Sequence, residues 1–336
     1  MAGDSMISCD IDLAEDGRHT GFLRVPHSTH VSAYGWIGLP IVSIRNGGGP
    51  VILLTAGVHG DEYEGQAALA TLTRELAPEA IRGQVILLPM TNAPAARAGL
   101  RTSPVDGGNL NRLFPGNPRG TPSEMIAHYL ETVLIPRADV MVDLHSGGSS
   151  LWYPPTLLRG GGANAAEAAR LRLLQDAFDL PYAWVFTGGG GRGSTARTAM
   201  GAANRNGVTC VMAELGGGGV IDRDILALTL RGLRRVLHAL GMLPGHTPDP
   251  ANGTRELHAE GSVHARDAGL FEPLVEIGET VRAGQSLGLV HDRDHPDRAP
   301  SDVISPFAGI LLAKRAMGLV EIGDAVGQVA RDADPP

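Results

Sequence analysis

Two side chains able to hold a metal ion stand three residues apart in Gly57-Val58-His59-Gly60-Asp61-Glu62. A neutral imidazole and a carboxylate at that spacing reach one ion from a turn, which makes half of a zinc site. Alone, the pattern is equally a solvated turn whose acid caps a helix. A second histidine, in Asp143-Leu144-His145-Ser146-Gly147-Gly148, changes the balance. His59, Glu62 and His145 together form the His₂Glu set of zinc hydrolases that keep a position open for water. Asp143 points the same way along a strand as His145 and is placed to orient it.

Such a site needs a base and something to hold an anion. Glu214 follows the apolar segment 208–212 and precedes the glycine run 216–219. A carboxylate there is placed to take a proton from water and deliver it to a leaving nitrogen. The plainer reading is an acid that caps the next helix. Asn111 and Arg112 form a pair that grips a carboxylate through charge-assisted bonds. Arg101, upstream, is placed to steady an oxyanion. Arg97 and Arg119 read as solvated loop residues.

These residues must be held by regular elements. The apolar run 51–56 reads as a buried strand of a mostly parallel sheet. Residues 64–76 follow it as a helix, with Ala67, Ala68, Leu69, Leu72 and Leu76 on one face. His59 and Glu62 then sit between a strand's carboxyl end and a helix, where open α/β sheets bind ligands. Segments 85–89, 140–144 and 208–212 read as further strands, with His145 at the end of the second. Short strands are expected within 7–25 and 38–44, and another at 182–186. Helices are expected at 122–134 with Thr121 as N-cap, at 163–178, at 194–204 and at 223–240. The glycine-, proline- and arginine-rich stretch 91–120 is a long irregular loop, and such loops are usually functional. The glycine clusters, including 188–191, read as flexible loop.

The totals exclude several classes. A net charge of −8 and only 4% aromatic residues argue against a nucleic-acid surface or a polybasic membrane anchor. Cys9 and Cys210 form no disulfide framework, so a reducing compartment is the simpler assumption. No signal-peptide pattern and no apolar run of membrane-spanning length is present, and the expectation is a cytoplasmic protein.

Composition changes after residue 243. A proline-rich linker, 244–250, separates an α/β part from a tail without helical pattern. The tail contains an internal echo, Glu276-Ile277-Gly278-Glu279-Thr280-Val281 and Glu321-Ile322-Gly323-Asp324-Ala325-Val326. It resembles the two half-sandwiches of a lipoyl- or biotinyl-type β-domain. The stretch where carrier domains place their lysine, 291–302, contains none, so the tail reads as a structural module rather than a swinging arm.

Four motifs now stand in order: the His59–Glu62 turn, Asn109-Leu110-Asn111-Arg112, Asp143-Leu144-His145-Ser146-Gly147, and Glu214-Leu215-Gly216. In order and setting they resemble the succinylglutamate desuccinylase/aspartoacylase family of the zinc carboxypeptidase superfamily. The resemblance covers nearly the whole chain, since that family too carries a C-terminal β-domain. It implies His59, Glu62 and His145 as ligands of one zinc per chain, Glu214 as general base, and Asn111 with Arg112 as the reader of a substrate carboxylate. Arg101 matches the oxyanion arginine, although residues 102–108 look like a small insertion relative to the family spacing. Residues 102–108 and 214–219 look similar to the branch containing the N-acetyl-2,4-diaminobutyrate deacetylases. A substrate side chain would be read from loops such as the one with Arg192 and Arg197.

The expectation is therefore an α/β domain of zinc-carboxypeptidase type over residues 1–245, a mostly parallel mixed sheet flanked by helices. A β-sandwich or barrel-like domain without an attachment lysine follows over 255–331. The expected reaction is zinc-dependent hydrolysis of the amide of a small N-acyl amino acid, with no nucleic-acid or membrane partner. A homo-oligomer is compatible with the sequence. The rivals are a metallocarboxypeptidase acting on peptides and a non-enzymatic small-molecule binder on the same fold. A carrier protein rests on the tail alone and fails on the missing lysine.

Overall fold

The computed structural model describes residues 5–186 and 195–333. Strands β1 (Ser8–Cys9), β2 (Gly17–Pro26), β3 (Trp36–Asn46) and β4 (Val51–Ala56) lead to helix α1 (Tyr63–Glu75) and β5 (Gly83–Leu88). Helices α2 (Ala93–Ala98) and α3 (Pro122–Tyr129) precede β6 (Val140–His145) and β7 (Leu151–Gly160). Next come α4 (Ala165–Phe178), β8 (Tyr182–Phe186), α5 (Ala199–Arg205), β9 (Thr209–Gly217) and α6 (Arg223–Ala239).

The central strands run β5-β4-β6-β9, all parallel, and are apolar almost throughout, as strands covered on both faces must be. One face packs against α1, α4 and α6 through Leu69, Phe178 and Leu233. The other packs against α3 and α5 through Ile126, Leu130 and Ala202. Parallel strands point their carboxyl ends to one edge, so β4, β6 and β9 deliver their terminal residues side by side. Outside this centre the pairing is largely antiparallel, at β1-β2-β3-β5 and at β9-β7. The sheet is thus mixed, with its parallel part confined to the site-bearing middle and to β7-β8-β10.

Strand β7 was not legible as a strand, because Pro154 and Pro155 lie inside it. Proline is tolerated where the ladder slips, and the pairing with β9 shifts register between Tyr153 and Thr156. Two expected helices and the expected loop also differ in detail. Thr121 caps α3 through a capping box with Glu124, but after Tyr129 the helix widens into a π turn, Leu130–Leu134. The helix expected at 194–204 is a single 3-10 turn, Thr195–Arg197, then α5 capped by Thr198. The loop 91–120 contains α2, which closes on Gly99 in the left-handed conformation.

The tail comprises β10 (Arg255–His264), β11 (Gly269–Pro273), β12 (Thr280–Val281), β13 (Ser286–His291), β14 (Ser301–Ile304), β15 (Gly309–Arg315), β16 (Leu319–Val320) and β17 (Ala325–Asp332). β10 pairs with β8, and β15 pairs with β7, so β7-β8-β10-β17-β15 closes into a ring. β12 pairs with β15, and the other four strands form a 4-stranded sheet, β14-β13-β11-β16, over a core of Val263, Phe271, Val290, Leu311 and Val329. The internal echo is structural. Gly278 N donates to Leu311 O, and Leu311 N donates to Glu279 O. Its counterpart repeats this, with Gly323 N donating to Ala265 O and Ala265 N to Asp324 O. The chain's single lysine, Lys314, lies on β15 and is ion-paired with Glu276.

Candidate active site

Gly57, at φ 65°, turns the chain out of β4 so that His59 and Glu62 reach the sheet edge before α1 begins. Gly60 is required by contact, since a Cβ there would lie 2.0 Å from the backbone of Ala95. His145 ends β6, beside Glu214 on β9 in the parallel register. The sequence separations of 83 and 152 residues thus close into one pocket because three parallel strands end together.

His59 Nδ1 lies 2.7 Å from one Glu62 oxygen, and His145 Nδ1 lies 2.8 Å from the other. One ligand atom from each residue falls within 4.8 Å of the other two, and all three residues are buried. Each imidazole is tied through its far nitrogen. His145 Nε2 lies 2.8 Å from Asp143 Oδ2, and His59 Nε2 lies 3.2 Å from Asn109 Oδ1. Thr55 Oγ1 donates to the other Asp143 oxygen at 2.6 Å. Far nitrogens held in this way leave both Nδ1 atoms to face a common point, and the donor set of two imidazoles and a carboxylate suits zinc. Burial opposes charge on Glu62, but the two imidazoles outweigh it and hold the carboxyl well below its usual range. Burial likewise opposes charge on His145, yet Asp143 and Glu62 push that ring well above its ordinary value.

Glu214 shares the cavity with these groups. Its Oε2 is sealed from solvent and has no partner among the described residues. Burial, and then the negative charge of Glu62, push its carboxyl up to about 8. An acid poised there exchanges protons near neutral pH. Glu214 is held by backbone on both sides of the glycine run, which is a clasp and not a flexible loop. Gly147 N donates to Gly216 O, Gly218 N to Leu151 O, and Gly219 N to Gly148 O. A Cβ on Gly217 would lie 2.1 Å from Leu151 O, so no larger residue fits.

The cavity has a volume of about 400 Å³ and is also lined by Arg101, Asn111 and Arg112. Arg101 Nη1 is 3.4 Å from Glu62 Oε1. The 102–108 segment closes on itself, with Ser103 N donating to Gly108 O, while Asp106 accepts from Ser123 N, and Arg101 before it lines the pocket. Asn111 Oδ1 accepts from Ala199 N at the start of α5, which leaves its amide NH₂ for the cavity. Partial burial, and then the neighbouring Arg101 charge, hold Arg112 below its ordinary value. A pocket with two guanidiniums beside each other favours an anionic ligand.

Sequence reasoning missed other participants. Thr55 looked like any β-branched residue in a strand. Asp61 accepts from Ser149 N at 2.7 Å and pins the loop after His145. Glu64, in the first turn of α1, is buried with neither oxygen hydrogen-bonded among the described residues. Arg97 is exposed and lies outside the cavity, as expected, and it also donates to Gly38 O. Arg192 and the glycine cluster 188–191 lie outside the described residues. Arg197 is exposed and is not among the cavity-lining residues, whereas Thr195 and Thr198 are.

The catalytic-domain model of the succinylglutamate desuccinylase/aspartoacylase family matches residues 48–240. N-alpha-acetyl-L-2,4-diaminobutyric acid deacetylase from Halomonas elongata is 38% identical over 97% of this chain and 95% of its own length. The solved structure of a succinylglutamate desuccinylase/aspartoacylase from Rhodobacter sphaeroides superposes with a TM-score of 0.91 at 39% identity, covering 98% of this chain and 100% of that one. The product-bound ectoine utilization protein EutE (DoeB) from Ruegeria pomeroyi gives 0.92 at 37% identity, covering 97% and 99%. A family model covers more than half of the length and relatives align almost end to end: the chain belongs to the succinylglutamate desuccinylase/aspartoacylase family.

Proposed function

We propose that this protein is a zinc-dependent N-acyl amino acid deacylase that hydrolyses the amide of a small substrate. The observation that carries this is the convergence of His59, Glu62 and His145 on one point, with Glu214 in the same cavity. When bound there, zinc supplies a Lewis acid that polarises an acyl carbonyl and acidifies a water. The remaining work belongs to the chain's own residues. Asn111 and Arg112 hold the substrate carboxylate, which fixes the scissile amide in the cavity. Glu214 accepts the proton of the attacking water and passes it to the leaving nitrogen. Arg101 faces the oxygen that gains charge.

The activity named for the Halomonas relative favours an N-acetylated diamino acid as substrate. A cavity of about 400 Å³ suits a single acylated amino acid. We also infer the division into a catalytic unit, residues 1–245, and a tail, 255–331, that carries no covalent cofactor. The test is a panel of N-acetyl, N-succinyl and N-formyl amino acids with zinc-loaded protein, including N-alpha-acetyl-L-2,4-diaminobutyrate. Hydrolysis of at least one acid with release of free amino acid is expected. Cleavage of C-terminal peptide bonds with no deacylation would favour the carboxypeptidase reading instead.

A further inference from the structure

Tyr153 stands on β7 opposite Gly216 of β9, two residues beyond Glu214. Its exposure is 8%, and it helps form the wall of the cavity that also holds His59, Glu62 and Glu214. No hydrogen-bond partner for its hydroxyl exists among the described residues. A tyrosine this buried normally finds a partner. Tyr153 lines the cavity, so a bound ligand is the partner available to it.

The surroundings define what that hydroxyl does. Burial pushes the phenol up, the charges of Glu214 and Glu62 add to this, and Arg101 opposes them. The phenol therefore stays neutral and serves as a donor. The three charged groups acting on it are the base, the metal-ligand carboxylate and the oxyanion arginine of the functional reading. The place common to all three is where the scissile carbonyl is attacked.

We propose that Tyr153 is a further catalytic residue, whose hydroxyl donates a hydrogen bond to the oxygen of the scissile carbonyl as that oxygen gains negative charge. The inference rests on the deacylase reading. The phenol O–H bond stays intact throughout, and no proton leaves it. Arg101 and Tyr153 then form a two-donor site. Arg101 is cationic with its side chain 46% exposed, while Tyr153 is neutral and shielded. A shielded donor gains most as charge develops, because water cannot compete for the oxygen.

Tyr153→Phe removes the hydroxyl and keeps the ring. Zinc-loaded parent and variant are compared for turnover of an N-acyl amino acid, for affinity toward a phosphinate bearing a tetrahedral centre in place of the acyl carbon, and for affinity toward the product amino acid. A single oxyanion donor is worth roughly 10²–10³ in kcat. The variant is expected to lose kcat on that order with KM nearly unchanged. Phosphinate affinity should weaken by a similar factor, while product affinity and zinc content hold. A phosphinate affinity that falls no more than product affinity, or an unchanged kcat, overturns the assignment, as does an equal loss in every measurement. If the unmodified protein neither hydrolyses the acids nor binds the phosphinate, the deacylase reading fails and the assignment falls with it. If the unmodified protein does both and Tyr153→Phe matches it, only the role of Tyr153 fails.

Discussion

Thr55 Oγ1 donates to Asp143 Oδ1 at 2.6 Å across the parallel pair β4–β6, and the other Asp143 oxygen meets His145 Nε2. All three residues are buried. The hydroxyl fixes the carboxylate, the carboxylate fixes the ring, and the ring's Nδ1 is left facing Glu62. A strand residue with no access to the cavity therefore helps set the orientation of His145, a proposed metal ligand.

Thr55→Val keeps the shape of the strand residue and deletes the donor. Partners of this kind are typically worth about 10–100-fold in metal affinity. Chelator competition should show zinc binding weakened within that range, and Thr55→Ser should restore it. Unchanged zinc affinity in the valine variant would mean that Asp143 holds His145 without help.

Glu214→Gln retains shape and loses the proton acceptor. The variant should keep its zinc, because Glu214 is not one of the three converging groups. Its kcat should fall by roughly 10²–10⁴, the span usual for general acid–base catalysis. Metal analysis and steady-state kinetics on one preparation separate the two effects. Near-normal turnover would remove Glu214 from the mechanism.

Glu64 gives a pH-dependent stability. Burial pushes its carboxyl up to about 7 from an ordinary 4.5. The folded state thus binds more protons than the unfolded state between those values, and stability falls as pH rises through that window. Its contribution is fully present below about pH 4.5 and is lost as pH passes 7. Glu64→Gln cannot ionise. Urea midpoints of the metal-free variant should stand higher relative to the parent at pH 8 than at pH 4.5. A difference that does not change with pH would mean that Glu64 finds a stabilising partner once charged.

The parts of this site that the sequence displayed are those in which a single short segment carries both the chemistry and its support. His59 and Glu62 follow an unbroken apolar run, and His145 ends another, so buried parallel strands and their edge were readable together. Asp143 was readable as an orienting group because it lies two residues from His145 on the same strand. Thr55 was not, because its partner is 88 residues away and only the β4–β6 register brings them together. Tyr153 was hidden by Pro154 and Pro155, which broke the strand pattern that would have carried it to the cavity. Glu64 looked like an ordinary acid at a helix N-terminus, where such charges are favourable. Only packing reveals that it is shut away from solvent.

The proposed carboxylate-reading pair, Asn111 and Arg112, offers the sharpest test of substrate class. Asn111 has its amide oxygen occupied by Ala199 N, so its NH₂ is the group free to donate beside Arg112. Arg112 Nη1 donates to the backbone carbonyl of Asn111 at 2.7 Å, which anchors the guanidinium beside that residue. A substrate lacking the carboxylate leaves these donors without a charged acceptor, a loss of about 1.5–3 kcal/mol for a hydrogen bond to a charged group. That corresponds to a preference of roughly tenfold or more in kcat/KM for an N-acyl amino acid over its carboxamide. Arg112→Ala should erase most of the preference while zinc content stays unchanged. The measurement is the acid and its carboxamide on both proteins. Equal rates for the two on the unmodified protein would show that no carboxylate is read there. A hydrolase indifferent to the acid would then describe the site better than an amino acid deacylase.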